Sequence, residues 1–278
     1  MQIPGSIGFI GGGCMAEAII KGLLQAGIVN ADHILVADPD INRQMILKQN
    51  YAVAVFDKSA DLLSICDIIL LAVKPQIIDK VLGGIVSDLH KRHLVISIAA
   101  GITLGYLETR LAGTDCRLIR VMPNTPAIIQ QAASALSPGK NVSEKEVGVA
   151  RMIFESIGSC VQVDENQLDA VTGLSGSGPA YVFLFIEALI DAGVKVGLNR
   201  VEATHLVLKT VIGSANLALS SGQHPAQLKA NVTSPGGTTI AGLYELEKAG
   251  FRGIVMNAVQ AATNRSKELG NLLDNNKG

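Results

Sequence analysis

Tryptophan is absent from this chain, and Tyr and Phe number only 4 and 6, so aromatic residues make up 4% of it. Basic tracts are absent too: Lys+Arg 23 against Asp+Glu 24 leaves a net charge of -1. A nucleic-acid surface of stacking aromatics among basic residues is therefore not expected. Cysteines number 4, at Cys14, Cys66, Cys116 and Cys160, with no C-x-x-C pair. They read as reduced, small, mostly core residues of a cytoplasmic protein. The 5 histidines show no metal-ligand spacing, so no metal is expected. No apolar run is seen to approach the ~20 residues of a membrane span. No charged segment with an apolar run behind it precedes the first strand pattern, so no signal peptide is expected. Charge is scarce at 17% while apolar residues reach 48%. That surplus of apolar residues points to subunit burial.

What the chain has is glycine at chosen places. Residues Ser6 to Ala16 read SIGFIGGGCMA. An apolar strand runs into Gly11-Gly12-Gly13, and Ala16 stands at the third glycine position of the dinucleotide fingerprint, inside a strand–turn–helix pattern. Gly11 would make the turn, Gly13 would let a pyrophosphate approach the backbone, and Ala16 would let the helix pack close. The helix start at Cys14 and Met15 would offer free N–H groups to phosphate. Asp38 ends the second strand, where an acid accepts from the adenosine ribose 2′-OH; the same residue could cap the following helix. Arg43 and Lys58 could offset its charge. NADH use is expected from Asp38, with NADPH left open.

Strands and helices then alternate through Val163, and the uninterrupted run Asp67 to Val73 reads as a parallel strand covered on both faces. After Asp164 the strand patterns vanish and long helical stretches take over, including the nearly all-apolar AYVFLFIEALIDAGV. The expected architecture is α/β: a doubly wound parallel sheet over residues 1–163, followed by an all-α domain over 164–278. Ligands in such a sheet bind beyond the carboxyl ends of the strands. That selects Ala72, Val73, Lys74 and Pro75 after the fourth strand. It also selects Met122 and Asn124 in the stiff MPNTP loop after the sixth.

The helical half adds two glycine-rich runs, Gly173 to Ala180 and Val232 to Thr239. Neither carries a strong acid or base. Val232, Ser234, Gly236, Gly237, Thr238 and Thr239 offer backbone N–H groups and hydroxyls at a helix start, which suits holding a carboxylate.

Taken in order, IGFIGGGCMAEAI, AVKPQ, MPNTP, LSGSGPAYVF and VTSPGGTT resemble pyrroline-5-carboxylate reductase. The resemblance implies an N-terminal Rossmann domain, helical domains that interlock into dimers and often decamers, and reduction of 1-pyrroline-5-carboxylate to L-proline with NADH or NADPH. It further implies that the loop Ser234 to Thr239 holds the substrate carboxylate, that Thr239 hydrogen-bonds the ring nitrogen, and that Met122 and Asn124 lie beside the cofactor.

Two rivals remain. A β-hydroxyacid dehydrogenase of similar design would carry a lysine four residues beyond the glycine frame Gly173, Gly176, Gly178 and an asparagine four further on; this chain has Val182 and Ile186 there. Alcohol oxidation needs a proton acceptor at that place. A non-catalytic dinucleotide-binding regulator would have no use for the intact Val232 to Thr239 loop.

Overall fold

A computed structural model describes residue 3 and residues 5–275, with side chains through residue 271. The chain forms two compact units, Met1–Ser177 with Gln260–Gly278, and Gly178–Val259. The expected division at 163/164 falls between the last strand and the next helix; the compact units divide further on.

The first unit runs β1 (Ile7–Ile10), α1 (Cys14–Gln25), β2 (Ile34–Ala37), α2 (Ile41–Tyr51), β3 (Ala54–Phe56), α3 (Ala60–Leu63), β4 (Ile68–Leu71), α4 (Ile78–Ile85), β5 (Leu94–Ser97), α5 (Leu104–Arg110), β6 (Arg117–Met122), β7 (Ala132–Pro138), α6 (Glu144–Glu155), β8 (Gly158–Gln162) and α7 (Leu168–Val171). The strands form one sheet in the order β3-β2-β1-β4-β5-β6-β7-β8. Side chains alternate between its faces, as the two-residue strand period requires. Ile7, Phe9, Ile34, Val36, Ile68 and Leu70 pack on one side, Ile10, Leu35, Ala37, Ile69 and Leu71 on the other. Both faces are covered, which is why these strands read as unbroken apolar runs.

One pairing differs from the expected all-parallel sheet: β7 runs antiparallel to β6, with Arg120 opposite Ser137 and Met122 opposite Ala135. The link between them, residues 123–131, is too short for a parallel crossover, which takes a dozen residues or more. It turns back through the short 3₁₀ segment Thr125–Ile129 instead.

The second unit holds α8 (Gly178–Lys195), α9 (Arg200–Ser221), α10 (Pro225–Asn231), α11 (Thr238–Lys248) and the start of α12 (Phe251–Asn275). Asn199 caps α9 by accepting from Glu202 N–H. The later turns of α12 belong to the first unit, where Thr263 and Ser266 are buried and the Ser266 hydroxyl donates to Asp169 at 2.6 Å. Helix α8 buries none of its residues within the single chain, and Phe183 and Leu184 stand 64% and 67% exposed. An apolar helix left this open is a face awaiting a partner. Within Glu165–Lys195, an 18-residue window reaches a mean hydropathy of 1.4, so this helix is long and apolar enough to cross a membrane by length and composition. This corrects the expectation that no run approaches such a span. Glycine and serine interrupt its first half, and the charged Glu187 and Asp191 interrupt its most apolar part.

Candidate active site

The glycine loop sits where β1, β2 and β4 end together. Gly11 N–H donates to Ala37 O and Ala72 N–H to Ile10 O, both at 2.8 Å. Gly11 has φ +97, a conformation side chains rarely adopt, and a Cβ there would lie 2.6 Å from Ala72 O. Gly13 is extended and precedes α1 as its N-cap, with no side-chain capping bond. A Cβ at Gly13 would meet nothing within 4 Å, so the space outside it is open. The first N–H groups of α1, at Cys14 and Met15, therefore face a free approach with the positive end of the helix dipole behind them. Donors, dipole and open space together fit a diphosphate. Cys14 is exposed here, unlike the buried Cys66 and Cys160, whose thiols burial pushes up to about 12 and about 11.

A cavity of about 530 Å³ opens beside this loop between Gly11, Asp38 and Val73. Pro39, Ile77 and Val81 give it apolar walls, while Lys58, Ser59 and Lys80 bring polar ends to its rim. The Asp38 carboxylate is held in place by backbone: Oδ2 accepts from Gly12 N–H at 2.7 Å and Oδ1 from Asp40 N–H at 2.8 Å. The helix cap of α2 is Asp40, which accepts from Asn42 N–H, so Asp38 is the strand-end acid rather than the cap. Arg43 does not face this cavity; its guanidinium donates to Gly12 O and to Glu17. The Glu17 bond holds the Arg43 charge above its ordinary pKa. Lys74 is exposed and starts the 3₁₀ turn Pro75–Ile77, with Ala72, Val73 and Pro75 partly buried beside it.

Beyond β6, Asn124 is buried and both ends of its amide are committed. Oδ1 accepts from Ala133 N–H at 2.9 Å, and Nδ2 donates to Ser175 O at 3.0 Å. Ser175 lies in a wide turn, Thr172–Gly176, closed by Ser177 N–H donating to Thr172 O at 2.8 Å. Such π-turns recur at functional sites because they break the regular ladder. The methyl end of Met122 reaches the same turn: a Cβ on Gly176 would lie 2.7 Å from it. The first glycine-rich run therefore braces the MPNTP loop.

Arg120, two residues before Met122, was missed by sequence reasoning. It is buried, its guanidinium 3.3 Å from Glu165 and 4.0 Å from Asp169. Glu165 also accepts from Leu104 N–H. An arginine inside the covered strand RLIRVM was the available signal, since a buried charge needs a partner.

In the second unit, the run Val232 to Thr239 forms an exposed loop into α11. Gly236 has φ +66, and Gly237 N–H closes the turn on Ser234 O at 3.1 Å. Gly237 is the extended N-cap and makes no side-chain capping bond. The N–H groups of Thr238 and Thr239 thus begin α11 unbonded, as the first turn of any helix leaves them. The Thr239 hydroxyl, half-buried, makes no hydrogen bond among the described residues. Nothing in this loop is a strong acid or base.

Comparison with known proteins agrees with both halves. Residues 165–269 match the pyrroline-5-carboxylate reductase dimerisation family, and residues 6–101 match a family of coenzyme F420-dependent NADP oxidoreductases. Pyrroline-5-carboxylate reductase of Arabidopsis thaliana is 46% identical over 264 residues, covering 95% of each chain. The crystal structure of a Plasmodium falciparum pyrroline carboxylate reductase with NADP bound is 39% identical, with a TM-score of 0.87 over 97% of this chain and 100% of that one. A pyrroline-5-carboxylate reductase from Coxiella burnetii is 36% identical, with a TM-score of 0.90 over 96% and 99%. The helix α8, open in the single chain, lies within the stretch that matches the dimerisation family. With this identity sustained along nearly its whole length, the chain belongs to the pyrroline-5-carboxylate reductase family.

Proposed function

We propose that this protein reduces the C=N bond of 1-pyrroline-5-carboxylate to L-proline with a reduced nicotinamide dinucleotide. The observation that carries the reading is the Val232–Thr239 loop. It presents uncapped helix N–H groups and a free hydroxyl, with no proton-transfer residue, on a chain that also carries a dinucleotide loop. In the family this chain belongs to, those two loops serve one reaction.

The roles divide as follows. Gly11, Gly12, Gly13, Cys14 and Met15 hold the pyrophosphate, with Asp38 on the adenosine ribose. Ala72, Val73, Lys74 and Pro75 border the dinucleotide on the β4 side, and Met122 and Asn124 border the nicotinamide side. The Asn124 amide acts there as a brace, since both its ends are spent on Ala133 and Ser175. Val232, Ser234, Gly236, Gly237 and Thr238 shape the loop that receives the substrate carboxylate on the N-terminus of α11. Thr239 orients the ring nitrogen.

When bound, the reduced nicotinamide supplies a hydride. The chain's own contribution is orientation. A carboxylate seated on the N–H groups of α11 fixes one end of the ring, and the Thr239 hydroxyl fixes the nitrogen. Holding two reactants in register supplies much of the barrier reduction in such a reaction. A ring bound as its iminium already carries the proton that the product nitrogen keeps. No strong acid is then needed, in keeping with a loop that has none. Thr239 serves as an aligning group, because a hydroxyl is a poor acid at neutral pH.

Residues 1–163 act as the dinucleotide-binding domain and 164–278 as the substrate-binding and dimerisation domain. The dimer forms through the helical part and is the unit of a decamer. The location is cytoplasmic. For cofactor choice, the Asp38 carboxylate favours a free 2′-hydroxyl and NADH, while Lys58 and Lys80 at the same cavity leave NADPH usable. The purified protein should consume NADH and NADPH in the presence of 1-pyrroline-5-carboxylate and release proline. Cofactor turnover with hydroxy acids or keto acids, and none with the cyclic imine, would overturn the reading.

A further inference from the structure

The peptide between Gly12 and Gly13 is gripped by helix α2. Arg43 donates Nε–H and Nη2–H to Gly12 O at 2.8 and 2.6 Å. The same Nη2 reaches Glu17 at 2.7 Å, and the Tyr51 hydroxyl donates to the other Glu17 oxygen at 3.0 Å. Leu47, one helical turn beyond Arg43, closes on Gly12 from the same helix face: a Cβ there would lie 2.8 Å from Leu47 Cδ1. On the other side Asp38 accepts Gly12 N–H. A trans peptide holds its C=O and the following N–H pointing opposite ways. With Gly12 O turned to Arg43, Gly13 N–H must point away from α2. That N–H has no partner among the described residues, and the space beside Gly13 is open.

We propose that Arg43, fixed by Glu17 and Tyr51, is the positioning residue of the dinucleotide loop. It presets Gly13 N–H toward the pyrophosphate and keeps the Gly12 carbonyl, which would repel that anion, out of the way. The proposal rests on the reading of this loop as the diphosphate site. It also removes Arg43 from any part in recognising a 2′-phosphate, because the guanidinium is spent on the loop.

The test compares Arg43→Met with the parent by equilibrium titration with NADH, NADPH, ADP and adenosine, followed by fluorescence or calorimetry. NADH, NADPH and ADP should weaken together by about 5- to 50-fold, the range of one or two charge-assisted hydrogen bonds. Adenosine, which lacks phosphate, should bind both proteins alike. Glu17→Gln leaves Arg43 in place with a weaker anchor, and should move the three phosphate ligands the same way by a smaller factor if the Met variant folds poorly. Weakening confined to NADPH would make Arg43 a 2′-phosphate reader and overturn the proposal. So would unchanged ADP affinity, or an equal loss for adenosine. A parent that binds ADP no better than adenosine would end both the proposal and the reading beneath it.

Discussion

Replacing Gly11 or Gly13 by alanine should separate folding from binding within a single loop. At Gly11 the added methyl faces two costs. The backbone has φ +97, where an L side chain loses roughly 1–2 kcal/mol. The methyl would also sit 2.6 Å from Ala72 O and 2.8 Å from Val73 Cγ1, and Ala72 is itself tied to β1 by the Ile10 bond. Backbone cannot yield as a flexible side chain can, so the total should reach about 3 kcal/mol or more. In a unit of this size that lowers the unfolding midpoint by roughly 5 °C or more. At Gly13 the backbone is extended, at φ -68, and a methyl meets nothing. The only structural loss is a weaker helix start, since alanine is a poorer N-cap than glycine, at about 0.5–1 kcal/mol. The same methyl would occupy the surface proposed to receive the pyrophosphate, so NADH affinity should fall by about tenfold or more. Thermal unfolding of the apo proteins and fluorescence titration with NADH check both halves. A Gly13→Ala protein that binds NADH like the parent, or a Gly11→Ala protein as stable as the parent, would refute the placement of the loop.

Thr239→Val should lower kcat/KM for the imine by about 5- to 150-fold, the cost of one hydrogen bond at the reacting ring, while the Kd for NADH stays put; steady-state kinetics beside a binding titration checks it. Asp38→Ser should raise the NADPH-to-NADH ratio of kcat/KM. Asp38 also anchors Gly12 N–H, so both cofactors should lose affinity in absolute terms, and only the ratio reports the 2′-position. Acid should destabilise the fold through His93. That ring is buried, accepts at Nδ1 from His90 N–H and has Nε2 2.9 Å from Leu63 O. Accepting at Nδ1 requires the neutral ring, and burial holds its pKa below the ordinary 6.5. The unfolded chain therefore takes up the proton first. The stability is complete above about pH 6.5 and is lost as the pH falls toward the folded value. Unfolding midpoints should drop from about pH 7 to pH 5, with a smaller drop in His93→Gln.

Much of this molecule was legible because its strands are covered on both faces. Runs such as IILL at β4 suit a strand buried on both faces, and the glycine loop followed from the strand before it and the helix after it. Helix ends were equally plain where chemistry marks them: Asn199 before α9, Pro225 opening α10 and Gly237 before α11. The direction of β7 was not legible, because ASALS has the same side-chain pattern whichever way it runs; only the length of the link from β6 carried the information. The partners of Arg43 were not legible for a different reason. A helix period shows which face a residue occupies, but not which of two acceptors a long side chain will choose. The roles of Asn124 and Arg120 share that obstacle. Each is decided by partners 51 residues (Ser175) and 45 residues (Glu165) away in sequence, which no local pattern reports.

The central claim is that a hydride is delivered to the imine carbon of a ring held by the α11 loop. The direct measurement uses NADH deuterated at the transferring position, 1-pyrroline-5-carboxylate, and mass and NMR analysis of the product. The account predicts L-proline with a single deuterium on the ring carbon next to nitrogen that began as the C=N carbon, its formation slowed in step by Thr239→Val. Proline without deuterium, deuterium at another carbon, or cofactor oxidation with no proline formed would contradict it.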